Sequence, residues 1–162
     1  MTATLRIVHL LALAIWVGSM VFLFVTAQAL FTALPREVAG RATAAIFPRY
    51  YFLGGACAAA AILSSALIGW RAGSWGRVLT IEIVLLLVMG GMTIFAGQVI
   101  LPEAAALRLS LPALEGAPAF DAAKARFASL HGRSMLLNAS VLLLGLGLLG
   151  MLAARPPREW GL

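Results

Sequence analysis

The chain has 162 residues, 62% of them hydrophobic and 11% charged, with a mean hydropathy of +1.00. A soluble domain is nearer half apolar and a quarter charged, so the composition excludes an ordinary soluble fold and leaves no length for a second, soluble domain. The net charge of +6 sits in basic residues between apolar runs, which read as headgroup contacts and topology signals; nucleic-acid binding would need a basic face on a soluble domain, and the single cysteine, Cys57, excludes an internal disulfide.

Four charge-free runs follow one another, at 7–35, 50–70, 83–102 and 134–154. A helix needs about 20 apolar residues to cross a bilayer's hydrocarbon core. The pattern predicts an all-α membrane protein, a four-helix transmembrane bundle forming one domain over 1–162. Its helices are expected at about 5–34, 50–70, 78–101 and 131–154, with a short interfacial amphipathic helix between the third and fourth.

The first helix carries His9 and Trp16, has Gln28 as its last polar residue, and is stopped or kinked by Pro35. Ala27-Gln28-Ala29 has the small-x-small form of a signal cleavage site. The apolar run before it is longer than the about 7–15 residues of a signal core, so the helix is expected to be retained. A short basic connector, 36–48, is expected to hold a helical piece ending at Phe47-Pro48, because the residue before proline avoids the α region.

The second helix opens on Arg49-Tyr50-Tyr51, residue types suited to a membrane interface. Within it Ala61, Ser65 and Gly69 recur every four residues and form a small face for close packing. Trp70 and Trp75 flank the tight turn 71–77. The third helix holds Glu82 one turn inside and is expected to stop before Pro102. In the connector 103–133, Phe120, Ala123, Phe127 and Leu130 share one helical face that Asp121, Lys124 and Arg126 avoid, the pattern of a helix lying in the interface plane. Arg155-Pro156-Pro157-Arg158 ends the fourth helix.

Four spans put both termini on one side, here side A, with Arg6, Arg71, Arg77, Arg155 and Arg158. Side B carries Arg36, Arg41, Arg49, Arg108, Lys124, Arg126 and Arg133. The denser basic residues of side A lean toward cytoplasmic termini in a bacterial inner membrane. A hairpin duplication is visible in outline: Ala27-Gln28-Ala29-Leu30 corresponds to Gly97-Gln98-Val99-Ile100, and Arg49 to Arg133.

Three constellations are candidates for chemistry. On side A, His9 and Glu82 lie at similar depth, and a carboxylate in lipid is usually paired. A Glu82–His9 or Glu82–Arg6 pair is expected, able to relay protons, with His9 a candidate haem or metal ligand. A plain ion pair joining the first and third helices accounts for the same residues. On side B, Gln28 and Gln98 are candidates for polar pairing across the bundle. Arg49, Tyr50, Tyr51, His131, Arg133 and Asn138 are candidates for binding lipid or another anion, with headgroup anchoring as the plain alternative. In mid-membrane, Met20, Cys57, Met89 and Met92 come from three helices at one depth. Thioether and thiolate ligands select Cu(I), and ordinary core filling is the plain alternative. There is no Gly-rich phosphate loop, no metal-protease histidine pair and no pair of deep carboxylates.

Several segments resemble a known family. They are Trp16-Val17-Gly18, Leu30-Phe31 with Leu34-Pro35, Ala39-Gly40-Arg41, Phe47-Pro48-Arg49-Tyr50-Tyr51, Leu101-Pro102, and Leu130 to Asn138 with His131, Ser134 and Asn138 in a Leu-His-x-x-Ser-x-x-x-Asn pattern. Together they resemble the transmembrane protein 205-like family, whose bacterial members are of the domain-of-unknown-function 4149 type. The resemblance covers nearly the whole chain. It implies a four-span helical membrane protein and, through a eukaryotic member associated with resistance to platinum drugs, some handling of soft metals or efflux. It brings no catalytic residues with it. His9 with Trp16-Val17-Gly18 is also similar to the first helix of the copper-resistance D family and of the haem-associated, oxygen-independent protoporphyrinogen oxidase type.

The function expected is that of a non-enzymatic inner-membrane protein without a catalytic site, an accessory subunit or a small transporter-like protein with no cofactor. The alternatives are a haem- or copper-binding membrane protein and a membrane oxidoreductase acting on a lipophilic substrate. Membrane lipids are the expected partners, with a homo-oligomer or docking on a larger membrane complex also open.

Overall fold

A computed structural model describes residues 2–154. The basic stop Arg155-Pro156-Pro157-Arg158 lies outside the described residues. Among the described residues the chain is helical throughout, without a strand: α1 (Thr2–Ala33), α2 (Arg36–Ala72), α3 (Arg77–Phe95), α4 (Leu101–Ser110) and α5 (Phe120–Ala153). A π-helical turn, Ala96–Ile100, joins α3 to α4 without a break, and a 3₁₀ turn, Leu111–Leu114, follows α4. With α3–α4 taken as one rod, four helices among the described residues are long and apolar enough to span a membrane. The protein is a multi-pass membrane protein. Helices suit that setting because each satisfies its own backbone N–H and C=O groups where no water can.

The rods form a ring. α1 packs on α2, α2 on α3, α3 on α5, and α5 back on α1. The diagonal pairs, α1 with α3 and α2 with α5, have no Cα atoms within 8 Å of each other among the described residues. Small residues set the close sides of the ring. The expected small face of α2 is buried at Ala61, Ser65 and Gly69. A Cβ on Gly145 of α5 would lie 2.7 Å from Val17 Cγ2 of α1, so glycine permits that approach. The middle of the bundle is sealed by Leu13, Trp16, Met20, Leu86, Met89, Val141 and Leu148.

Three expected boundaries move. The connector 36–48 is not a connector: α2 runs unbroken from Arg36 through Pro48. Proline's ring removes one N–H, so the carbonyl of Ala44 loses its helical donor. Packing on α1 holds the helix together, and Arg49 Nη1 donates to the neighbouring carbonyl of Ala45 at 2.8 Å. The third span likewise passes Pro102, which sits in the first turn of α4 inside one continuous rod. The π turn adds a residue just before it, with the Leu101 N–H reaching Ala96 O. Finally, among the described residues no separate interfacial helix stands before the fourth span. Phe120 to Leu130 is the first part of α5. Its apolar face is the one read from sequence, with Leu130 buried, Phe120, Ala123 and Phe127 half-buried, and Asp121, Lys124 and Arg126 exposed. That face is used against protein, where α5 packs along α4.

The 37 residues of α2 extend about 55 Å at about 1.5 Å each, against about 30 Å of hydrocarbon. Apart from Arg71 at the side-A end of α2, the charged residues of α2, α4 and α5 lie toward side B. There Arg108 Nη1 donates to Gly40 O at 2.5 Å, and Arg126 forms an ion pair with Glu103. Side A closes α2 with Gly73 in the left-handed region, φ 61°, a conformation glycine adopts without a steric penalty.

Candidate functional site

Two buried polar clusters interrupt the apolar interior, one near each side. The side-A cluster forms where α1, α2 and α3 meet. His9 is 4% exposed, Glu82 2% and Ser65 0%. His9 Nδ1 lies 3.2 Å from Ala61 O, 3.1 Å from Ser65 Oγ and 3.3 Å from Ser64 Oγ. A carbonyl only accepts, so Nδ1 carries the proton and donates. The two serine hydroxyls spend their own protons elsewhere: Ser64 Oγ donates to Ala61 O at 2.9 Å, and Ser65 Oγ donates to Glu82 Oε1 at 2.5 Å.

The other ring nitrogen, Nε2, faces Glu82 Oε1 at 3.3 Å. This contact ties α1 to α3 inside the bundle. A cavity of about 430 Å³ opens onto this cluster from side A, lined among others by Arg6, His9, Arg77, Ser74 and Glu82. It is within the size range of small-molecule sites. The structure thus brings together His9 and Glu82, which the sequence singled out, and adds Ser64 and Ser65. Ser65 was legible only as a small packing residue. The signal for a further role is a Ser-Ser pair in an apolar run, level with His9 and Glu82. With both nitrogens of His9 facing polar atoms, a haem or metal there would have to displace Glu82.

The side-B cluster joins α2 to α5. Tyr50 OH donates to Asn138 Oδ1 at 2.9 Å. Asn138 Nδ2 donates to Tyr51 OH at 3.0 Å and to Ser134 O at 2.9 Å. Tyr51 OH and Ser134 Oγ are hydrogen-bonded at 3.0 Å. Ser134 and Asn138 are one helical turn apart and share a face of α5. The rings of Tyr50 and Tyr51 meet edge to face, with centroids 5.0 Å apart. Room for Tyr51 comes from Gly97 in the π turn, where a Cβ would lie 2.8 Å from Tyr51 Cβ.

The remaining side-B candidates do not join this cluster. Arg49 and Arg133 are exposed. His131 is also exposed and stacks on Phe127 at 6.5 Å. The expected pairing of Gln28 with Gln98 is not formed: both side chains are exposed, and α1 and α3 face each other only across the diagonal of the ring. Met20, Cys57 and Met89 are buried in the hydrophobic core, with Met92 packed against it. Among the described residues no three of His, Cys, Asp or Glu are grouped to hold a metal ion.

No curated protein and no solved structure matches the chain. Residues 11–111, more than half of the sequence, match a family described as a domain of unknown function, DUF4149. The matched stretch runs from α1 to the start of the 3₁₀ turn. It includes Tyr50, Tyr51, Gly97 and Glu82, while Ser134 and Asn138, their α5 partners on side B, lie beyond it. The chain belongs to the DUF4149 family.

Proposed function

We propose that the protein is a small transporter-like protein of the bacterial inner membrane, with its vestibule on side A. The observation behind this reading is a cavity of about 430 Å³ that reaches the buried His9–Glu82 pair. An ionisable pair held inside a membrane bundle is costly, and such groups commonly serve ion or proton pathways. A scaffold needing only a link between α1 and α3 would obtain it more cheaply from apolar packing. The side-B cluster and the sealed middle layer support the complementary half of the reading, a bundle open at one end and latched at the other.

Proton movement is the first thing to test, because it needs no knowledge of the solute. Purified protein would be reconstituted into vesicles holding a pH-sensitive dye, and a pH step imposed outside. The wild type should collapse the gradient faster than empty vesicles. Glu82→Gln keeps the shape of the side chain but cannot ionise, and should return the rate to the empty-vesicle level. Arg133→Gln, exposed and outside both clusters, should leave it unchanged. Equal rates for wild type and empty vesicles would remove proton transport and favour an accessory-subunit role.

A further inference from the structure

At the level of Tyr50, α1 and α2 part to leave a groove on the outside of the ring. Its volume is about 220 Å³, and almost all of its wall is apolar. Ser19, Phe22 and Thr26 line it from α1, and Ile46, Arg49 and Leu53 line it from α2. It is neither part of the side-A cavity nor made of the same residues. Its position follows from the sequence. Arg49 is the last charged residue before the charge-free stretch of α2, so it marks the headgroup level. Leu53 lies one turn further into the span, and Phe22 alongside is 71% exposed.

We propose that this groove is a binding site for one anionic phospholipid, its phosphate on Arg49 and an acyl chain between α1 and α2. A guanidinium has five N–H donors. Nη1 is engaged with Ala45 O, which fixes the planar group beside the groove and leaves further donors for phosphate oxygens. The groove below it supplies what a free anion cannot use: an apolar channel running from the headgroup level into the hydrocarbon. The far wall of that channel is Tyr50, whose hydroxyl is spent on Asn138. A chain in the groove therefore packs against the outer side of the ring that holds the side-B cluster. Occupancy should stiffen that cluster.

The test is native mass spectrometry of the detergent-purified protein titrated with phosphatidylglycerol, beside a thermal melt of the same samples. The wild type should retain one phosphatidylglycerol in preference to phosphatidylcholine and melt at a higher temperature when it is bound. Arg49→Gln should weaken retention about fivefold, the effect of one basic residue at an anionic surface. Ser19→Phe, which fills the groove and leaves Arg49 in place, should also lose the lipid while melting like the lipid-free wild type. Arg133→Gln on the same side should bind as wild type does. Undiminished retention in both Arg49→Gln and Ser19→Phe would overturn the site. Inorganic phosphate protecting as well as the lipid would also overturn it, because the apolar channel would then have no part in binding.

Discussion

Asn138 is the hinge of the side-B cluster because its amide has a donor end and an acceptor end, and both are used on tyrosines. Tyr50→Phe removes one donor and leaves Asn138 Oδ1 without it. Asn138→Leu leaves both tyrosine hydroxyls of Tyr50 and Tyr51 short of a partner. Hydrogen bonds between membrane helices are worth about 0.6–2 kcal/mol each, and a stranded buried polar group about 1–3 kcal/mol. Asn138→Leu is therefore expected to lower stability more than Tyr50→Phe, by about 2 kcal/mol against about 1 kcal/mol. Unfolding in mild detergent followed by circular dichroism would check the order. An Asn138→Leu protein as stable as the wild type would show that the cluster contributes no net stability. The sequence singled out Tyr50, Tyr51 and Asn138 through their motifs, yet it also drew in His131 and Arg133, which are exposed. A motif marks neighbours along the chain, and only the face of α5 separates Asn138 from Arg133.

At the scale of the elements, the spans were legible because charge is expensive in hydrocarbon and so brackets each one. Three helix ends, all toward side B, were not legible: the start of α2, the end of the third span and the start of α5. Pro48 and Pro102 each read as a stop, because the proline rules are local, whereas continuity is decided by what the flanking turns pack against. α2 keeps going on the support of α1, and α3 passes into α4 by taking one π turn ahead of Pro102. That turn carries Gly97 to the Tyr51 ring, where a Cβ would meet Tyr51 Cβ at 2.8 Å and Cγ at 2.9 Å. These are atoms near the backbone and cannot swing aside. Gly97→Ala is expected to cost about 1–3 kcal/mol, the usual range for overpacking. Gly91, with nothing within 4 Å of its Cβ position, is the control: Gly91→Ala should be neutral or mildly stabilising, since alanine is the better helix former. Equal melting temperatures for the two variants would rule out a tight fit at Tyr51.

For the whole molecule, the ring predicts which surfaces lie on opposite sides of the membrane. Ser74 lies in the α2–α3 turn on side A, and Leu109, 83% exposed, lies at the end of α4 on side B. Cysteines introduced separately at these positions should react with a membrane-impermeant maleimide from opposite faces of sealed vesicles. The native Cys57 is buried and should stay unlabelled. Labelling of both positions from one face would break the four-span topology. The same experiment in oriented vesicles would fix which side is cytoplasmic.

The ring has a mechanical consequence. Its four sides are held by close packing of small residues, but four sides alone do not fix the angles of a quadrilateral frame. Each polar cluster is a cross-brace: His9 with Glu82 ties α1 to α3, and Tyr50 and Tyr51 with Ser134 and Asn138 tie α2 to α5. The braces run along different diagonals and sit at opposite ends, with the packed middle as a pivot between them. Releasing one lets that end of the frame shear while the other end keeps its shape. Such a linkage needs no bending of any helix to open one end at a time.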